Sequence, residues 1–165
     1  MMRSPVKHAL GAMALLSLFG AALPAVAQTT VEGAWVRASV PSQQATGAFM
    51  TITASADSKL VAVESPAAKT VQVHQMTMHN DVMGMAEVKS LALPAGKPVV
   101  LDSNGYHVML MGLVKQVKEG DSVPLTLIVE DAKGQQESIK VDAPVRPLTA
   151  TDGHDKHQMH DHSHM

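Results

Sequence analysis

The sequence predicts an all-β domain, an antiparallel Greek-key β-sandwich, on three observations. Between Ala34 and Val145 the chain is a succession of short runs in which apolar and polar residues alternate. That is the period of a strand with one buried face. Turn residues interrupt the runs about every ten positions, the spacing of sandwiches and barrels. No window of helical length carries an apolar stripe at the 3.6-residue period of a helix.

The elements follow in order. AWVRAS (34–39) stops at Pro41-Ser42. GAFMTITA (47–54) and LVAVES (60–65) hold the β-branched and aromatic residues that suit a pleated surface. TVQVHQMTM (70–78) alternates strictly, and MAEVKSL (85–91) reads as one strand running up to Pro94-Ala95-Gly96. PVVL (98–101) ends before Asn104-Gly105, and YHVMLMGL (106–113) alternates again. VPLTLIVED (123–131) follows Gly120-Asp121, and ESIKVDA (137–143) follows Lys133-Gly134. Each break is a Pro, Gly or Asn turn signal.

Both ends differ from this middle. Arg3 and Lys7 precede an apolar run from Ala9 to Ala22, and Ala25-Val26-Ala27 is a small-x-small cleavage site. Residues 1–27 therefore read as a secretory signal peptide cleaved after Ala27, and the expected location is a bacterial periplasm. The apolar run is too short to span a bilayer, and no later segment suffices, so no integral membrane segment is expected. With no cysteine in the chain, a lipid anchor on a cysteine is not expected, and neither disulfides nor thiols meet the oxidants outside the cytoplasm. Residues 28–148 are the expected domain, and residues 149–165 a flexible, disordered tail. Without Arg3 and Lys7 the chain holds 11 basic residues against 15 acidic ones, which leaves no footprint for nucleic acid. A monomer is expected.

The chemistry lies in VHQMTM (73–78) and YHVMLM (106–111), which both contain His-x-Met-x-Met. Nine methionines lie beyond residue 27, and six of them fall between Met76 and Met111. Core packing is the ordinary use of a strand methionine, but parity opposes it. Val71 and Val73 take one face of the first run, leaving Gln72, His74, Met76 and Met78 on the other. Val108 and Leu110 do the same in the second, leaving His107, Met109 and Met111. If the strands are neighbours, opposed Cβ atoms lie about 5 Å apart, and two imidazoles and two thioethers can meet one ion. Neutral thioethers with imidazoles select Cu(I) over Zn(II), Mg(II) or Ca(II). A blue-copper electron-transfer centre is excluded for want of a cysteine.

From His74 there are ten residues to Met85, twenty-one more to His107, and one before Met109. This spacing resembles the signature of the periplasmic copper chaperones called PCuAC. The resemblance covers about residues 31–148 and extends through GAWVRASVP, HQMTMHNDVMGMAEV and LPAGKPVVLDSNGYHVMLMGL. It implies a cupredoxin-like β-sandwich that binds one Cu(I) near its surface through His74, Met85, His107 and Met109. It also implies delivery of copper towards the binuclear centre of a haem-copper (cytochrome c) oxidase, alongside Sco-type proteins. A copper-buffering or tolerance protein without a dedicated acceptor is the alternative. An enzyme is not expected: no activated Ser or Cys nucleophile, carboxylate pair or phosphate loop appears.

Met76, Met78, Met83 and Met111 read either as a sulfur-rich rim that shields the ion and assists transfer, or as plain packing beside it. His79 falls in a turn and is expected to be exposed. Trp35, Arg37 and Tyr106 have no chemistry assignable from sequence and are expected to be structural. The tail supplies a candidate secondary Cu(II) site in His154, His157, Met159, His160, His162, His164 and Met165. Its nitrogen donors, with Asp152, Asp155 and Asp161, are harder than thioethers.

Overall fold

The computed structural model describes residues 28–151. The expected signal peptide and the tail positions from Asp152 to Met165 lie outside the described residues. Ten strands follow in chain order: β1 (Thr29–Arg37), β2 (Ala45–Ala54), β3 (Ser58–Glu64), β4 (Ala68–His79), β5 (Val82–Glu87), β6 (Leu91–Leu93), β7 (Val99–Leu101), β8 (Tyr106–Leu113), β9 (Ser122–Asp131) and β10 (Gln136–Arg146). Among the described residues there is no helix, and so none long and apolar enough to cross a membrane. The strands hydrogen-bond in the order β5-β4-β8-β7-β2-β1-β10-β9-β3-β6. This ladder folds over into two layers, β5 to β1 and β10 to β6, whose inner faces share one core. Ile52, Val73, Val108 and Leu110 enter it from one layer, and Leu60, Leu93, Leu125 and Leu127 from the other. The β-sandwich is as expected.

Two expectations are corrected. The sheet is not wholly antiparallel, because β1 pairs with β10, and β7 with β8, in parallel. The second follows from topology: β7 and β8 both lie antiparallel on β2, one beyond the other, and so must run the same way. The first joins the two layers through a short contact, Val36 with Val145 and Arg37 with Arg146. The run MAEVKSL, expected as one strand, is two. β5 pairs with β4, whereas β6 crosses to β3 at the far end of the ladder. A continuous strand would put Met85 and Leu91 on one face, yet Met85 is 56% exposed and Leu91 only 4%. Crossing between layers lets Leu91 and Leu93 reach the core while Met85 stays outside.

Alternation explains most of the core. Val123, Leu125, Leu127 and Val129 are buried on β9, and the residues between them are not. β1 departs from this pattern. Gly33 adopts φ +60°, where a side chain would be strained, and the register against β2 shifts by one between Glu32 and Trp35. Such a bulge exchanges the faces of all later residues. Val36 therefore points into the core, and Trp35 and Arg37 take the outer face, where Arg37 lines the same depression as His107.

Candidate metal centre

Cross-strand partners project to the same side of a sheet, so the register fixes who meets whom. His74 of β4 is paired with His107 of β8 and, on its other side, with Glu87 of β5. One step along β4, Met76 is paired with Met85, and Met78 beyond it with Met83. In the opposite direction Gln72 faces Met109, which is flanked by Gly47 of β2, and Met111 lies between Thr70 and Ala45. His74, His107, Met76, Met78, Met83, Met85, Met109 and Met111 therefore stand on one outer face. Met50, by contrast, is 3% exposed in the core, the ordinary fate of a strand methionine.

The two rings present free nitrogens. His74 donates from Nε2 to the Gln72 amide oxygen at 3.0 Å, which leaves the lone pair on Nδ1. That Nδ1 is buried and has no hydrogen-bond partner, a deficit worth about 1–3 kcal/mol that a bound cation would remove. His107 donates from Nδ1 to the Gly105 carbonyl at 3.4 Å, which leaves Nε2 as its free nitrogen. Burial is the main cause that holds the His107 pKa below the usual imidazole value, with His74 and Arg37 acting in the same direction and the Gly105 carbonyl and Asp102 opposing it. The ring is kept neutral, the form that ligates a metal.

The loop between β7 and β8 secures this arrangement. Asp102 Oδ1 accepts from the backbone N–H of Asn104 at 2.9 Å and of Gly105 at 2.7 Å. The tightened turn aims the Gly105 carbonyl at His107, and the same oxygen accepts from the Met76 N–H at 3.0 Å. One loop thus ties β4 to β8 beside both rings.

His107, Met109, Met76 and Met85 line one open depression of about 270 Å³, together with Arg37 and Phe49. Its floor is Gly47. A Cβ there would lie 2.9 Å from Cζ of Phe49, whose ring crosses the glycine. The ring cannot yield freely, because it packs on Trp35 at 4.6 Å between centroids and under the Arg37 guanidinium at 4.9 Å. Met76, expected on the rim, lines the depression beside Met85. Met78 and Met83 stand farther out, 65% and 60% exposed. His79 is exposed at the end of β4, before the Asn80-Asp81 turn, as expected. The tail positions lie outside the described residues.

Among the described residues no three His, Cys, Asp or Glu side chains gather as a metal site. Three thioethers, Met76, Met85 and Met109, line the depression beside His107, a donor set that favours a soft cation. Sequence reasoning passed over Gly47, Phe49 and the ring-orienting role of Gln72, and it left Arg37 and Trp35 without a place. Gly33, an isolated glycine inside a strand, is the one sequence signal of the bulge that brings the last two here.

The family model described as putative lipoprotein LpqE-like matches residues 29–145. The putative lipoprotein Lxx21020 of Leifsonia xyli subsp. xyli is 33% identical over 138 residues, covering 77% of this chain and 83% of that one. Among solved structures, the apo PCuAC domain of PmoF2 matches with a TM-score of 0.60 at 25% identity, over 77% of this chain and 96% of that domain. The Cu(I) form of DR1885 from Deinococcus radiodurans matches with a TM-score of 0.54 at 35% identity, over 77% of this chain and 81% of that one. The chain belongs to the LpqE-like family, of the PCuAC type whose spacing its His and Met residues carry.

Proposed function

We propose that this domain is an exported Cu(I) carrier that holds one ion through His74, Met85, His107 and Met109. The observation that carries the reading is the pair of opposed imidazoles, each with an unprotonated nitrogen, one of them buried without a partner, beside a depression lined by thioethers. The Cu(I)-loaded relative supports the same ion. Met76 faces Met85 across the strand pair and is the natural stand-in when either sulfur lets go. A copper ion can occupy such a site at the surface and still leave it, since Met85 on the sulfur side is more than half exposed. Export rests on the order of charged, apolar and small residues in positions 1–27.

The recipient in this reading is the binuclear copper centre of a haem-copper oxidase, with a Sco-type protein as a partner in delivery. Copper buffering without a dedicated acceptor is the second reading, favoured by the His-rich tail. β10 ends at Arg146, which is paired with Arg37 of β1, one of the residues lining the depression. A second, Cu(II)-binding set of donors tethered there would raise the local copper concentration. The test is copper stoichiometry and X-ray absorption under reducing conditions, with and without residues 150–165. One Cu(I) bound by two nitrogens and two sulfurs in both proteins is expected, and a purely nitrogen and oxygen shell would sink the core assignment. Loss of oxidase activity at low copper in a deletion strain separates delivery from buffering, which would instead appear as sensitivity to high copper.

A further inference from the structure

Arg37 is the feature of the site that the reading above does not use. The bulge at Gly33 puts it on the outer face, and since Val36 pairs with Ala48, the next step sets Arg37 level with Gly47. Gly47 is in turn the partner of Met109. With no side chain at Gly47, the guanidinium and the Met109 thioether line the same depression from two sides. Two aromatic faces hold the cation in place, Phe49 at 4.9 Å and Trp35 at 5.7 Å from the ring centroids. Among the described residues it forms no ion pair, and its buried Nε has no hydrogen-bond partner. A guanidinium does not lose its proton in a protein. A fixed, uncompensated positive charge therefore faces the place where a cation is to sit.

Such a charge is costly to any cation, which makes its placement informative. Coulomb repulsion scales with the charge of the ion, so a dication is penalised twice as much in free energy as a monocation at the same point. We infer that Arg37 is a charge-selecting residue, which disfavours Cu(II) and other divalent ions at the core site relative to Cu(I). The thioethers select by softness and the guanidinium by valence, two independent filters on one ion. The inference rests on the copper reading above, but it concerns the preference between oxidation states and not the identity of the ligands.

The test uses the full chain with the five tail histidines each changed to Asn, so that copper reports the core site. The measurements are the Cu(II)/Cu(I) midpoint potential and the affinity for Ag(I), a soft monocation that undergoes no redox change here. Arg37→Gln should stabilise Cu(II) more than Cu(I) by about tenfold, which lowers the potential by about 59 mV. Affinity for Ag(I) should rise as well. Arg37→Leu, which keeps apolar contact with Phe49 and Trp35, should behave the same if Arg37→Gln fails to fold. Arg37→Lys keeps the charge and should hold the wild-type potential. Arg146→Gln removes a guanidinium that stacks on Trp35 outside the depression and should move the potential far less. An unchanged potential in Arg37→Gln and Arg37→Leu, or an equal shift in Arg146→Gln, overturns the inference. A wild-type protein that binds neither Cu(I) nor Ag(I) would overturn the copper reading itself, a separate failure.

Discussion

His74 and His107 stand opposite one another on adjacent strands, edge to face, with ring centroids 6.0 Å apart. They offer different nitrogens, Nδ1 from the first and Nε2 from the second, because each ring's other nitrogen is held by a different acceptor. The pair is thus set by two supports outside the rings, the Gln72 amide and the Gly105 carbonyl.

Gln72 can be removed without touching a proposed ligand. Gln72→Leu should leave the fold intact and lower Cu(I) affinity about 10–100-fold, the usual cost of losing a group that orients a metal-bound imidazole. Gln72→Glu restores an acceptor for the His74 Nε2 proton and should recover most of the loss. Competition against a Cu(I) chelator measures both, and wild-type affinity in Gln72→Leu would remove the residue from the site.

Met109 tests the sulfur side. It lies on interior strand β8, between Gly47 and Gln72, so Met109→Ile keeps volume and strand preference while deleting a soft donor. Thermal unfolding should barely change, and Cu(I) affinity should fall by more than the roughly 100-fold ceiling typical of a supporting group. Unchanged affinity would leave Met76 and Met85 as the only sulfur donors.

Peroxide should read out both burial and ligation. Met78, Met83 and Met85, each more than half exposed, should form sulfoxide first, and Met50, 3% exposed, last. Bound Cu(I) occupies sulfur lone pairs and should protect Met85 and Met109 but not Met78 or Met83. Peptide mass spectrometry of apo and loaded protein decides this; equal oxidation of Met85 in the two would exclude it as a ligand.

Acid should act in two separate windows. The folded pKa of His107 lies below its ordinary value, chiefly through burial, so the unfolded chain takes up that proton first. Its contribution to stability is complete above about pH 6.5, the free imidazole value, and is lost as pH falls below it. The neutral, ligating ring persists to lower pH, until its depressed folded pKa is crossed. Denaturant unfolding of the apo protein should therefore begin to weaken at a higher pH than the one at which His107 protonation cuts Cu(I) affinity. His107→Asn should lose the acid-side stability slope, and an apo protein that gains stability on acidification would contradict this account.

Periodicity made the two faces of β4 and β8 legible, because Val71, Val73, Val108 and Leu110 occupy alternate positions and leave the His and Met residues no place in the core. Register was not legible. That His74 meets His107 and not Met109 depends on how the chain between them closes, and strand alternation is blind to that. Met85 could be placed only by resemblance, since the run that holds it continues in phase into Leu91 and Leu93, and nothing local marks where the chain leaves one layer for the other. Arg37 was hidden for a different reason. The bulge at Gly33 reverses its parity, so a strict alternation counted from Val31 would assign it to the wrong face.

Among the described residues β5 lies at the end of the ladder and hydrogen-bonds to β4 alone, and all six of its residues are exposed. A strand that buries so little separates from its neighbour at a small fraction of the cost of global unfolding. The proposed donors are therefore anchored with unequal firmness: His74, His107 and Met109 ride on interior strands, and Met85 on a flap. Departure from such a centre has an order, with the thioether of β5 yielding first and the imidazoles last, and a recipient's own ligand would approach from the side where that flap lifts.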